Sequence, residues 1–583
     1  MQDFFKIRGF DPVLIFIVII AGLSCGRVYF FYDVVWDDNC WLLASYSSSN
    51  IEQFLNTGLY ELRRVPNGIF LYYLFILHKL TDNAYLIWRS ADITIQVLTP
   101  IFLYTFLKNL FKEMRILSFF AAISFVVFPL DNTLPYLTVI AYRIATLLTI
   151  ISFYLTVLAL EKDRPRPVFL IAAFVLSGLS HYVFMEITIV FEAARLFVIG
   201  YIFHTRYAER ALLIKKSLLY WSSFLLLCIP LIVYKLMYKP YGMYEGIYKT
   251  DFLFFLNWRE HLKVVRLLLF QQWRHLTKYA AEVTVWSVLL SIVAVFVSHM
   301  VLRKLHDMRG KSGKIWQGTF AATFKAKRHP VWDFLLLAIL FLIPPILLLE
   351  FANREIGLGF NSSHFNQVQI GYAIIAGAFL YFFFTAFSNS ELKVKGARLF
   401  ISALIGAGVF FNNLNLDLYL NASQRQSRFW ESFVARFPSL PENATFLMDV
   451  RDYYYFDTAD LDNSYDLELY LNLLYTKSDD PAQFRTYRVF TMEEFKLEMA
   501  RDSCDNPQQG IMRRITHFGE DVLNPCEFIV VHYRNNELLV NQEILAKYPD
   551  VSYRNWADKP VPQLFASSNH YPLRNKLKGF VVQ

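Results

Sequence analysis

Hydrophobic positions in this chain gather into runs of about 20 residues, the length an α-helix needs to cross a bilayer, with short charged stretches between them. The runs predict spans over 12–32, 85–107, 116–130, 137–160, 167–180, 182–203, 217–236, 283–302, 331–351, 367–388 and 399–415, about 11 in all. Segment 66–80 (PNGIFLYYLFILHKL) is apolar but short, and reads as a helix lying along the membrane interface. Segment 237–282 reads as amphipathic, with Trp258 and Trp273 among several Lys and Arg.

Beyond 415 the pattern changes to mixed polar and apolar. FLMDV (446–450) and FIVVHY (528–533) read as buried strands, and Asn535-Asn536 as a turn pairing the second with ELLV. Residues 491–501 read as a helix with Thr491 as N-cap and Glu494 closing a capping box. The expectation is a polytopic α-helical membrane protein. Its transmembrane domain covers 1–415, and a small α/β domain covers 416–583.

Charge orients the spans. Lys108, Lys112 and Arg115, Lys162, Arg164 and Arg166, Arg206, Arg210, Lys215 and Lys216, the eight Lys and Arg of 303–328, and Lys393, Lys395 and Arg398 all fall on one side if 66–80 does not cross. The tendency of basic loops to stay inside makes that side cytoplasmic, together with the N-terminus. It puts the first loop, 33–84, and the C-terminal domain outside; the Phe-rich, unsignalled chain reads as a protein of a bacterial cytoplasmic membrane. Segment 237–282 runs against the tendency, being basic and placed outside.

Composition agrees. Hydrophobic residues make up 55% and charged residues 18%, below the quarter usual in soluble domains. The net charge of +8 is spread over short loops, which sets topology and argues against a nucleic-acid partner. Lys6 and Arg8 precede the first run as in a signal peptide, but the run is long and no small-residue cleavage site follows, so it reads as a retained span. Cys25, Cys40 and Cys228 lie in or beside apolar helices, where burial is expected. Cys504 and Cys526 lie in the polar tail and form a candidate disulfide if that tail is extracytoplasmic.

Under this topology the ionisable side chains near helix ends converge at the outer face: Arg27, Asp33, Asp37, Asp38, Arg63, Arg64, Arg89, Asp92, Asp131, Arg143, His181, Glu186, Arg354, Glu355 and His364. Such groups are expensive in a membrane and mark cavities or partners. Each has a plainer reading. Asp37-Asp38 could cap a helix, Arg89 and Asp92 could pair at i and i+3, and His181 could be a satisfied surface residue at a hairpin tip. Glu192 and Arg195 lie deeper and read as a structural pair. The functional reading of Trp36-Asp37-Asp38 is a carboxylate that takes the proton of an attacking hydroxyl, with Arg and His nearby to receive a phosphate leaving group.

The arrangement resembles the GT-C glycosyltransferases, multi-span enzymes that take sugars from polyprenyl-phosphate donors. Their first helix is followed by an acidic pair in the outer loop, and Asp37-Asp38 match that place. RRVPNGIFLYY (63–73) resembles the family's basic, then Pro-aromatic, stretch, with Arg64 in the basic position. Arg89 opens the next helix, IAYRIA (140–145) looks like the outer end of the fourth, and His364 precedes the tenth. The resemblance is clearest over 10–200 and weaker to 415. The chain lacks the second-loop Asp-Glu pair of protein O-mannosyltransferases and the WWDxG-type motif of oligosaccharyltransferases, which leaves the acceptor open.

What the resemblance implies is an inverting glycosyltransferase moving sugar from a polyprenyl-phosphate carrier, in contact with membrane lipid, to a glycan, lipid or protein acceptor. Asp37 or Asp38 would activate the acceptor. Arg64, Arg354 and His364 would hold the phosphate, and Arg89, Arg143, His181 and Glu186 would shape the sugar or acceptor pocket. Some relatives use a divalent metal, for which the sequence places no ligands. The alternatives are a glycan polymerase or ligase on the same scaffold, and a non-enzymatic transporter or assembly protein.

Overall fold

A computed structural model of the chain describes residues 11–30, 37–56, 59–81, 84–128, 130–162, 164–207, 209–241, 258–311, 330–352, 354, 359–386, 391–437, 440, 444–450, 464–475, 487–491, 512–516, 519–523, 529–534 and 537–539. Cys504, Cys526, Asp33, Glu355 and Glu494 lie outside these residues. Ten described helices are long and apolar enough to cross a membrane. The chain is a polytopic α-helical integral membrane protein.

The helices are α1 (Pro12–Cys25), α2 (Asp37–Ser47), α3 (Ile51–Leu55), α4 (Val65–Leu80), α5 (Ala84–Leu110), α6 (Arg115–Val127), α7 (Ile140–Leu160), α8 (Pro167–Gly178), α9 (Glu192–His204), α10 (Arg210–Met237), α11 (Trp258–Arg266), α12 (Gln272–Thr277), α13 (Val285–Lys311), α14 (Pro330–Phe351), α15 (Phe365–Ala386), α16 (Glu391–Arg436) and α17 (Ser464–Tyr475). Segment 66–80 falls inside α4, whose apolar part is shorter than a span.

Local chemistry starts α1. Asp11 accepts from Val13 N at its N-cap, and Pro12 takes the first turn, where no amide is needed. The same carboxylate accepts from Tyr104 (2.8 Å), Lys108 (3.0 Å) and Arg115 (2.7 Å), fastening α1 to the end of α5 and the start of α6. Burial works to raise the Asp11 pKa, but these donors outweigh it and hold the carboxyl below its ordinary 3.8.

Helix α6 has 13 residues, too few to qualify as a span by length, although 116–130 reads as one in the sequence. It nevertheless runs beside α1 from end to end: its first residue, Arg115, bonds Asp11, and near its last turn Val126 O accepts from Ser24 (3.3 Å). It is buried on nearly all sides. Two glycines allow this. A methyl on Gly377 of α15 would collide with the α6 backbone at Ala121, and one on Gly408 of α16 with the Val127 carbonyl. Small residues let backbones approach where helices lack a hydrophobic drive to associate in lipid.

Two helix boundaries differ from the sequence reading. The hairpin after α8 turns at Met185, in extended conformation, not at His181. A π-helical turn, Leu179–Phe184, carries His181 into the protein instead. Helix α16 continues to Arg436, well past 415, because no proline interrupts it and its far end buries Phe429, Trp430 and Phe433.

That far end joins the C-terminal part. Strands β1 (Thr445–Asp449), β2 (Arg488–Thr491), β5 (Ile529–Arg534) and β6 (Glu537–Leu539) form one sheet in the order β2-β1-β5-β6, while β3 (Met512–Thr516) and β4 (Gly519–Leu523) pair as a separate hairpin. β1 runs parallel to both β2 and β5, and β6 returns antiparallel. The two strands and the hairpin read from the sequence are present. Thr491 ends β2, so it is not a helix cap. The sheet shares one hydrophobic core with α2, α3 and α4, including Trp41, Phe54, Tyr72, Trp430, Phe446 and Tyr475. Trp430 stacks on Tyr470 at 5.5 Å. The helix carrying Asp38 is therefore packed directly against the C-terminal part.

Candidate functional site

Two polar clusters occupy the end of the bundle beneath α2. The first centres on Asp38, which is fully buried. Its Oδ2 accepts from Leu137 N and its Oδ1 from Thr138 N, both at 2.8 Å. These amides precede α7, so Asp38 ties α2 to the entrance of that helix. Burial pushes its pKa up to about 6 despite the two amides and the nearby Arg89. Arg89 donates to Pro135 O (2.7 Å). Asp92 bonds Arg143, not its i−3 neighbour: Nη1 reaches both carboxylate oxygens, at 2.9 and 3.0 Å. Arg143 also donates to Thr133 O (2.6 Å) and approaches Asp131 (3.4 Å). Asn366 donates to Asp131 (2.9 Å), bringing in α15.

The second cluster lies between α4, α7, α10 and the turn before α9. Arg63 has φ 58, a left-handed conformation uncommon outside glycine. The turn sends consecutive arginines apart. Arg63 stacks on Tyr241 (4.6 Å) and Tyr238 (5.7 Å), whereas Arg64 reaches Glu186 at 3.0 Å. Lys235, at the end of α10, bonds the same Glu186 oxygen at 3.0 Å. Burial works against the charge on Arg64, but Glu186 and a hydrogen bond with Tyr142 keep it ionised above its usual range. The Tyr142 ring lies 6.5 Å from that of His364, which is buried and ends a 3-10 turn, Gly359–His364.

No family model, curated protein or solved structure matches the chain.

Arg64, Glu186 and, through Tyr142, His364 come together. Arg89, Arg143 and Asp38 belong to the other cluster. Arg354 is half-buried just past α14, its amide bonded to Leu349 O (2.8 Å). Asp37 is the first residue of α2. His181 belongs to neither cluster and is not at an exposed tip. It is buried against Ser177 (3.0 Å), Thr188 (2.8 Å) and Glu192 (3.2 Å). Glu192 in turn bonds Arg195 at 2.6 Å, and the Arg195 guanidinium lies over Phe153 and Phe224. Arg27, in the 3-10 turn Gly26–Phe30 that follows α1, bonds Asp417 of α16 at 2.6 Å, and Thr284 donates to the same carboxylate.

Sequence reasoning missed Lys235, Tyr142 and Asp417. Lys235 carried a usable signal, being an ionisable residue inside an apolar run, whereas Asp417 falls just past the last run, where the pattern is already mixed. Tyr142 carried none among 35 tyrosines. Among the described residues, no cluster of three or more His, Cys, Asp or Glu side chains forms of the kind that ligates a metal. Asp38 and Glu186 already have partners, so a divalent metal finds no fitting ligand set among the described residues.

Proposed function

We propose that this protein is an inverting glycosyltransferase that transfers a sugar from a polyprenyl-phosphate carrier at the extracytoplasmic membrane face. The supporting observation is the pairing of Arg64 and Lys235 on a single oxygen of Glu186. Two cations share one carboxylate, leaving one formal positive charge beside Tyr142 and His364. A guanidinium and an ammonium so placed suit a phosphate group. The charge of the basic loops puts this end of the bundle outside. The acid-bearing helix α2, capped by the C-terminal part, stands at that end.

In this reading the carrier enters laterally and its phosphate settles on Arg64 and Lys235, with His364 and Arg354 beside it. An acceptor hydroxyl attacks the anomeric carbon from the face opposite the phosphate. The new C–O bond forms as the sugar–phosphate bond breaks, inverting the centre. The hydroxyl proton passes to Asp37, because both oxygens of Asp38 already accept backbone amides. The departing phosphate keeps the bonding electrons, and the two cations stabilise its growing charge. Asp38 acts as a positioning residue that holds α2 against the start of α7.

The test is transfer of radiolabelled sugar from a panel of polyprenyl-phosphate hexoses and pentoses to membrane glycolipid by the full chain in nanodiscs. Asp37→Asn is expected to lose transfer at least a hundredfold while still binding polyprenyl phosphate. Arg64→Ala and Lys235→Ala are expected to weaken that binding about tenfold each. Undiminished transfer in Asp37→Asn, or unchanged phosphate binding in both cation variants, removes the proposal.

A further inference from the structure

A cavity of about 40 Å³ lies where α6 ends, walled by Ser24, Cys25, Gln96, Asp131, Gln369 and Asn412. One water needs roughly 10–15 Å³ measured this way, so there is room for a small ion with one or two waters. The wall is rich in acceptors. Ser24 donates its hydroxyl to Val126 O (3.3 Å), and Cys25 its thiol to Ala21 O (3.0 Å). Asn412 spends its amide hydrogens on Ser24 Oγ (2.5 Å) and Val126 O (3.1 Å). Gln369 donates to Phe125 O (2.8 Å). Pinning these amide nitrogens to the last turn of α6 leaves their oxygens as acceptors, next to the Asp131 carboxylate.

Charge points the same way. Asp131, itself part-buried, joins the buried Asp38 and Asp92 in facing two guanidiniums, Arg89 and Arg143, which leaves one formal negative charge. Arg143 is committed to Asp92 at 2.9 Å and stands 3.4 Å from Asp131, whose closer partners are neutral: Thr133 N (2.8 Å) and its hydroxyl on Oδ1, and Asn366 Nδ2 (2.9 Å) on Oδ2. The C-terminal end of a helix adds partial negative charge. Broken or short helices that end inside a membrane bundle use such ends to coordinate cations.

We propose that this cavity binds a monovalent alkali cation, sodium or potassium, held by Asp131 and the oxygens of Ser24, Gln96, Gln369 and Asn412. A single carboxylate among neutral oxygens suits one positive charge, whereas divalent sites gather several carboxylates. Bound there, the ion ties α1, α5, α6, α15 and α16 together and balances the buried charge beneath Asp38. The site stands apart from the glycosyltransferase reading and does not depend on it.

The test is binding of ²²Na⁺, and of ⁸⁶Rb⁺ as a potassium probe, to the purified full chain in detergent, with N-methylglucamine keeping ionic strength constant. Saturable uptake of about one ion per chain, displaced by unlabelled sodium or potassium, is expected. Gln96→Leu should weaken it at least tenfold. The Gln96 side chain makes no hydrogen bond with another described residue, so the fold should survive the change. Asn412→Leu provides a second variant. Absence of saturable binding of both isotopes, which is the result for a cavity holding water only, overturns the proposal, as does undiminished binding in Gln96→Leu.

Discussion

Arg143 holds both oxygens of Asp92 from a single nitrogen, with each side chain only 2% exposed. A buried pair adds little net stability over a well-packed apolar replacement, but breaking one strands a charge at a cost of about 3–5 kcal/mol. Arg143→Met is therefore expected to lower the detergent melting temperature markedly. Arg143→Met with Asp92→Leu should recover a large part of the loss. Equal loss in the single and double variants would show that the pair does not act as a unit.

Asp38 makes stability depend on pH in a defined direction. Its carboxyl titrates near 3.8 when unfolded and near 6 in the fold, because burial outweighs the amides that favour the anion. Between these values the folded state binds the extra proton, so this group's contribution falls as pH rises from about 4 to about 6 and is constant outside that window. The total is about 3 kcal/mol. Melting temperatures of the wild type and Asp38→Asn across this range should diverge by a growing amount, and parallel curves would contradict the assignment.

Two glycines of α16 should respond oppositely to alanine. Gly408→Ala pushes a methyl into the Val127 carbonyl and should cost about 1–3 kcal/mol. Gly396→Ala meets nothing within 4 Å and should be neutral or stabilising by up to about 1 kcal/mol. Thermal unfolding of the two single variants checks the contrast, and a similar shift in both would refute it.

The left-handed Arg63 predicts an unusual ranking. Both Arg63→Ala and Arg63→Gly lose the stack on Tyr238 and Tyr241, but glycine alone adopts φ 58 without strain. Arg63→Gly should be the more stable by about 1 kcal/mol. Alanine proving equal or better would mean that the turn is not strained.

Much of the architecture was legible in the sequence because burial in lipid demands long apolar runs with internally satisfied backbones, and length with hydropathy measures that demand directly. Ten of the spans, the short α4, the buried Cys25, Cys40 and Cys228, and the strands around 446 and 529 followed from pattern alone. So did the collection of Asp38, Arg64, Arg89, Arg143 and Glu186 near one end, since helix alternation fixes which termini are neighbours. Partner choice was beyond pattern. Asp92 pairs with Arg143 across two helices, not with Arg89 one turn away, and His181 turns inward through a π-helical turn to meet Glu192. Lys235 reaches Glu186 across 49 positions, and α6 packs as tightly as it does because of glycines in helices far along the chain. Such contacts depend on how helices rotate and approach one another, which no single helix records in its own periodicity.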